Sequence, residues 1–162
     1  MLPSMATLHH HGLRVADVQL AGDFYCAALD GRWLARPALL TGAGAEQAVG
    51  LAGAQLRIGI VGFDAGAVEL FAFSGAVPDW AREAAKGTIP HLALQVVDVA
   101  ATLARVEAHG GCRVWPTIDR WGAAHVIYAA DPDGNVIELL DRPPTDIAAT
   151  FVRWFPEADP LS

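Results

Sequence analysis

One pattern occurs twice in this chain and limits its fold more than any other feature. His10-His11-Gly12-Leu13-Arg14-Val15-Ala16-Asp17-Val18 and His91-Leu92-Ala93-Leu94-Gln95-Val96-Val97-Asp98-Val99 both read His-x-x-Leu-x-Val-x-Asp-Val. Each copy reads as a short strand whose alternate side chains point to opposite faces. The Asp then stands where an N-cap opens an apolar-periodic helix. Further on, Val68-Glu69-Leu70 follows the first copy and Ile137-Glu138-Leu139 the second. A unit that opens on a His and closes on a Glu is therefore present twice, and two such units point to one metal site built by pseudo-symmetry.

The chain has 162 residues, enough for one compact unit or for two small modules sharing a core. Hydrophobic residues make up 53% and charged ones 18%, a balance that supplies a core and excludes a disordered chain. A net charge of −7 argues against nucleic acid as a partner, because phosphate binding relies on a basic patch. Cys26 and Cys112 stand far apart with no CxxC pattern and read as two reduced thiols of a cytosolic protein. Residues 1–5 carry no basic segment followed by an apolar run, so no signal peptide is expected. No run of about 18 apolar residues is present, so no membrane span is expected either. The expectation is a soluble, cytoplasmic domain.

In chain order, the first module reads as a strand over 8–15, a helix from the Asp17 cap to Leu29 and a strand over 33–40. A glycine-rich stretch, 41–53, reads as a mobile loop with room for short structure, and strands over 55–61 and 67–73 follow. Val18, Ala21, Tyr25 and Ala28 form the helix's apolar stripe, and Asp30-Gly31 stops it, with glycine expected in the left-handed conformation. Residues 74–87 join the modules, with helical propensity over 79–85. The second module reads as a strand over 91–97, a helix from the Asp98 cap to Gly110-Gly111 with Val99, Leu103 and Val106 on one stripe, and strands over 113–118, 124–129 and 135–140. Asp131-Pro132-Asp133-Gly134 is a turn. After residue 144, Ile147, Phe151 and Trp154 mark an amphipathic helix over about 145–155, which must dock on its own body or on a partner subunit. The fold class is α+β, with module one over 8–73 and module two over 88–141.

Strand alternation places His10, Gly12 and Arg14 on one face, and His91, Ala93 and Gln95 on the corresponding face of the second copy. The fully apolar faces should meet the helices, so the histidines face away from them. Glu69 shares a face with Phe71 and Phe73, and Glu138 shares one with Val136 and Leu140. A carboxylate flanked by Val, Ile, Leu or Phe is costly to bury without a partner. No basic residue lies close to Glu69 in sequence, and only Arg142 lies near Glu138. Two histidines and a divalent cation would balance both charges. His9 and His11 compete with His10 for the first ligand position, and the repeat alignment selects His10. Nitrogen and oxygen donors without thiolate suit Zn²⁺, Ni²⁺, Co²⁺, Mn²⁺ or Fe²⁺. Phe71, Phe73 and Trp115 are candidates for an apolar pocket wall. His125 and Tyr128 are candidates for a polar pocket residue, although alternation cannot turn both inward.

These motifs resemble the vicinal oxygen chelate superfamily, which includes glyoxalase I, methylmalonyl-CoA epimerase, extradiol dioxygenases and fosfomycin- and bleomycin-resistance proteins. The resemblance covers roughly residues 6–141 and rests on LHHHGLRVADV, VELF, PHLALQVVDV and DPDGNVIEL. It implies a single domain of two βαβββ modules forming an incomplete barrel around a metal site. It also implies His10, Glu69, His91 and Glu138 as the ligands. Dioxygenases of this group use two His and one Glu, corresponding to His10, His91 and Glu138. The presence of Glu69 therefore favours the redox-neutral branch.

The resemblance implies a metal-dependent isomerase, epimerase or lyase acting on a small oxygenated substrate, with Glu69 and Glu138 as the catalytic carboxylates. An Fe(II) extradiol-type dioxygenase is the alternative, and a small-molecule binding or resistance protein without catalysis is the second. The stretch Leu70-Phe71-Ala72-Phe73-Ser74 stands where glyoxalase I has a polar, Thr-rich segment, which argues against a glutathione adduct as substrate. A homodimer is expected, with all four ligands drawn from one chain and the tail helix at or near the subunit contact; sites shared between swapped subunits are the alternative.

Overall fold

The computed structural model describes residues 9–49, 52–75 and 91–154. The helix expected over 79–85 lies outside the described residues. The chain divides into two compact units, Met1–Pro90 and His91–Ser162, and each is described by itself.

In the first unit the repeat folds as its alternation requires. The elements are β1 (His10–Arg14), α1 (Val18–Leu29), β2 (Arg32–Leu40), α2 (Gly42–Val49), β3 (Leu56–Gly62) and β4 (Ala67–Phe73). They form a four-stranded sheet in the order β1-β4-β3-β2. The β1–β4 pair is parallel and the other two pairs are antiparallel. The Asp17 carboxylate accepts from Leu20 N at 2.9 Å, capping α1 as its spacing predicts. Val18, Ala21, Tyr25 and Ala28 are buried against the sheet. The helix lies close to β3 because Gly59 has no side chain; a Cβ there would stand 2.8 Å from Val18 Cγ1.

Two local expectations are corrected in this unit. The left-handed residue that ends α1 is Asp30, with φ 56°, and not Gly31. Glycine is needed at 31 for space, since a Cβ would meet Val61 Cγ1 at 2.6 Å. Residues 42–49, expected to be loop with at most short structure, form the eight-residue helix α2. Ala45 is fully buried there with Ala54 and Leu56, and Leu40, Phe71 and Phe73 pack against them. That burial outweighs the cost of about 1 kcal/mol for each helical glycine. Glu46 Oε1 accepts from Gly53 N at 2.8 Å and ties the return of the chain to the helix.

The second unit holds β5 (Leu92–Gln95), α3 (Val99–Ala108), β6 (Cys112–Arg113), β7 (Asp119–Trp121), β8 (Ala124–Ala130), β9 (Val136–Leu140) and α4 (Pro144–Trp154). Its sheet runs β5-β9-β8-β6, with β7 also paired to β8. Again the first and last strands of the repeat are parallel neighbours. Asp98 caps α3 by accepting from Ala101 N at 2.9 Å, and Val99, Leu103 and Val106 are buried. The strand expected over 113–118 is present only as Cys112–Arg113, and β7 begins at Asp119. Pro116 lies between them and has no N–H to give to a ladder. In the turn at 131–134, Asp131 Oδ1 accepts from Asp133 N and Asn135 N, and Gly134 takes φ 86°. Ile147 of α4 packs against the buried cluster Ala124, Val126 and Leu140, as Trp115 and Trp121 also do, so the tail helix docks on its own unit.

Neither sheet closes on itself, and the fold is α+β with a βαβββ order in each unit, modified by α2 and by the β6/β7 break. No helix among the described residues is long and apolar enough to cross a membrane.

Candidate metal centre

Register makes the two copies equivalent at the level of single residues. In β1 and β4, Gly12 lies opposite Glu69; in β5 and β9, Ala93 lies opposite Glu138. Each Glu thus shares a face with the His that stands two residues before its partner. The geometry follows: His10 Nε2 lies 3.2 Å from Glu69 Oε2, and His91 Nε2 lies 3.1 Å from Glu138 Oε2. Among the described residues no three His, Cys, Asp or Glu side chains cluster as a metal site would require; each unit presents one His–Glu pair.

The two pairs differ in their surroundings. The side chain of Glu69 is 22% exposed and that of Glu138 only 7%. Across the neighbouring strand Glu69 faces Ile60, whereas Glu138 faces Tyr128. The Tyr128 hydroxyl hydrogen-bonds Glu138. Burial first, then the Glu138 charge and that hydrogen bond, raise the phenol above its ordinary value, so Tyr128 remains a donor. Glu138 Oε1 is buried without a partner, an arrangement that costs about 1–3 kcal/mol or more for a charged group unless something else satisfies it. A divalent cation is such a partner, and imidazole nitrogen with carboxylate oxygen is a donor set that suits one. The residues present therefore fit a metal.

Around the pairs, the expected pocket residues divide. Tyr128 stands edge-on to His91, with ring centres 5.4 Å apart, and to Trp115, at 4.6 Å. Trp115 in turn meets Trp121 at 6.3 Å, so an aromatic wall runs from His91 through Tyr128 and Trp115 to Trp121. Trp121 did not stand out in the sequence because its strand is short and irregular. In the first unit Phe71 and Phe73 stack at 6.2 Å on the face of Glu69, and α2 covers them. A cavity of 370 Å³ borders His10 and is lined by His9, Leu34, Ala35, Ile60, Gly66 and Ala67.

His125 does not join the ligands. The pairing of Tyr128 with Glu138 and of Val126 with Leu140 turns His125 to the other face, so of the two candidates only Tyr128 stands beside a ligand. His125 instead ties two strands together: its ring Nδ1–H donates to Asp141 Oδ2 at 2.7 Å and its backbone N–H to Asp141 Oδ1 at 2.9 Å. Burial pulls the Asp141 carboxyl up, but the two His125 hydrogen bonds, its charge and Arg142 outweigh it, and the net shift is downward. A carboxyl depressed on folding adds stability above its unfolded value, and that stability is lost as pH falls through the folded value. Urea denaturation should therefore show Asp141→Asn less stable than the parent at neutral pH. The gap should close as pH falls below about 4, the ordinary aspartate range. A gap independent of pH would mean that packing, not charge, holds this latch.

The glyoxalase/bleomycin resistance protein/dioxygenase superfamily model matches residues 7–139 of the chain. No curated protein sequence matches significantly. Among solved structures, a glyoxalase family protein from Bacillus cereus superposes with a TM-score of 0.69 at 18% identity, covering 86% of this chain and 97% of that one. The trypanothione-dependent glyoxalase I of Leishmania major gives 0.62 at 20% identity, covering 95% and 99%. Glyoxalase I from Zea mays gives 0.59 at 22% identity, covering 84% of this chain and 44% of that one. At these identities the likenesses show the fold.

Proposed function

Because the chain belongs to the glyoxalase/bleomycin resistance protein/dioxygenase superfamily, we propose that it is a metal-dependent isomerase, epimerase or lyase that moves a proton next to a carbonyl of a small oxygenated substrate. The observation that carries this reading is the repeated His–Glu pair, present at equivalent register positions in both units. His10, Glu69, His91 and Glu138 would hold a divalent ion, Zn²⁺, Ni²⁺, Co²⁺, Mn²⁺ or Fe²⁺, as one set of four ligands in a single domain. When bound, that ion supplies Lewis-acid polarisation of two neighbouring substrate oxygens.

The chain's own residues divide the remaining work. Glu138, buried and held by Tyr128 and His91, stays in place. Glu69, more exposed and facing Ile60, is the carboxylate free to take the proton from carbon, a role worth about 10² to 10⁴ in rate. Tyr128, Trp115 and the stacked Phe71 and Phe73 exclude water from the reacting carbon. The protein acts on a small molecule, in the cytoplasm, as a homodimer.

The same inequality between the glutamates supports a second reading. One buried Glu with two His is the donor set of a non-haem Fe(II) oxygenase, here His10, His91 and Glu138. A single experiment separates the two. The protein is loaded in turn with Zn²⁺, Ni²⁺, Co²⁺ and Fe²⁺, and solvent-deuterium exchange into hydroxyacetone and O₂ consumption with catechol are measured. Exchange without O₂ uptake is the expected result. Fe²⁺-dependent O₂ uptake without exchange would replace the first reading by the second, and stoichiometric metal uptake by none of the ions would leave a binding protein.

A further inference from the structure

We propose that His9 is the positioning partner of His10, and that binding of a cation at His10 switches the tautomers of both rings together. This rests on the metal reading above. His9 Nδ1 and His10 Nδ1 lie 2.7 Å apart, with the rings edge-on and their centres 5.0 Å apart. Two like nitrogens at that distance are bonded only if one carries a hydrogen and the other does not.

The other end of His10 decides which one. Its Nε2 lies 3.2 Å from Glu69 Oε2, and an ionised carboxylate only accepts, so the hydrogen of neutral His10 sits on Nε2. Its Nδ1 is then bare and accepts from His9 Nδ1–H. A ring that ligates through Nε2 must have that nitrogen bare, with its hydrogen on Nδ1 and an acceptor there to hold it. The bond to His9 survives this change by reversing: His10 Nδ1–H donates, His9 Nδ1 accepts, and the His9 hydrogen moves to Nε2. The two rings hold two hydrogens before and two after, so His10 becomes a ligand with no net proton lost from the pair. His9 is exposed, so its Nε2 exchanges freely with water. The repeat gives the second copy no counterpart, since Pro90 stands where His9 stands in the first.

The test uses the full chain with ¹⁵N-labelled histidine and Zn²⁺ as the probe, at about pH 8, where an ordinary imidazole is neutral. Two-bond ¹H–¹⁵N spectra of the metal-free protein should show hydrogen on Nε2 of His10 and on Nδ1 of His9. The Zn²⁺-loaded protein should show both reversed. His9→Phe keeps a ring but removes the acceptor, and should weaken Zn²⁺ binding about 10- to 100-fold at unchanged stoichiometry. In His9→Asn, Oδ1 stands near the place of Nδ1 and accepts, and most of the affinity should return. Tight Zn²⁺ binding by the wild type with no change of tautomer at His9, or with His9→Phe as tight as the parent, overturns the proposal and leaves the metal reading standing. A lower stoichiometry in His9→Phe makes His9 a ligand and overturns it as well. A wild type that takes up no Zn²⁺ overturns both.

Discussion

Replacing Glu138 with glutamine is expected to cost the protein most of its affinity for divalent metal while leaving the metal-free fold intact. Glu138 is 5% exposed and lies within a sheet face of Val136, Leu140 and Val126. One of its oxygens meets His91 at 3.1 Å, and the other is buried and unpartnered. Removing one member of a buried charge pair costs roughly 3–5 kcal/mol, which is hundreds- to thousands-fold in a dissociation constant. Calorimetric titration with Zn²⁺ should show that loss. Glu69→Gln should lose less, because its carboxylate is partly exposed and water screens what remains. Its larger defect should be in deuterium exchange into hydroxyacetone, by about 10² or more if it is the base. Without metal, glutamine at 138 keeps the shape and can still accept from Tyr128, so urea denaturation should find that variant at least as stable as the parent. A destabilised Glu138→Gln that binds Zn²⁺ normally would make Glu138 a structural residue and remove it from the centre.

The parts of this site that were legible in the sequence are those that a strand's two-residue period controls. The faces of His10, Glu69, His91 and Glu138 follow from alternation alone, and the register bears them out to the residue. The Asp17 and Asp98 caps were legible because capping is a local hydrogen bond between a side chain and a backbone three residues away. What escaped was set by partners distant in sequence. Residues 42–49 read as loop because Gly and Ala carry little periodic signal, and Ala45 becomes a helix residue only through Leu56 and Ala54. Alternation showed that His125 and Tyr128 could not share a face, but not which one faced Glu138; the β8–β9 register decides it. Asp141 gave no sign of holding His125, since they stand 16 residues apart in sequence and meet only when β8 and β9 pair. In the sequence His9 reads only as a rival of His10, because a repeat alignment can select a ligand but cannot reveal what its far nitrogen touches.

Mixing two inactive chains should decide whether one chain builds a whole centre. His10→Ala removes a ligand from the first unit, and Glu138→Ala removes one from the second. The 14 residues of the join at 74–87 do not by their length require modules to be exchanged between subunits, and Ile147 of the tail helix packs on its own unit against Ala124, Val126 and Leu140. The expectation is therefore that all four ligands of a centre come from one chain of a homodimer. Each mutant alone should bind Zn²⁺ weakly and exchange no deuterium, and unfolding and refolding them together should change neither. The opposite arrangement makes a quantitative and different statement. If every centre takes its first pair from one subunit and its second from the other, a mixed dimer has one centre with both lesions and one with neither. Random pairing of the two chains then restores about a quarter of all centres, with wild-type Zn²⁺ affinity at those sites. Recovery near that fraction would show that the subunits share their centres, and would mean that the dimer, not the chain, is the smallest unit able to bind the metal.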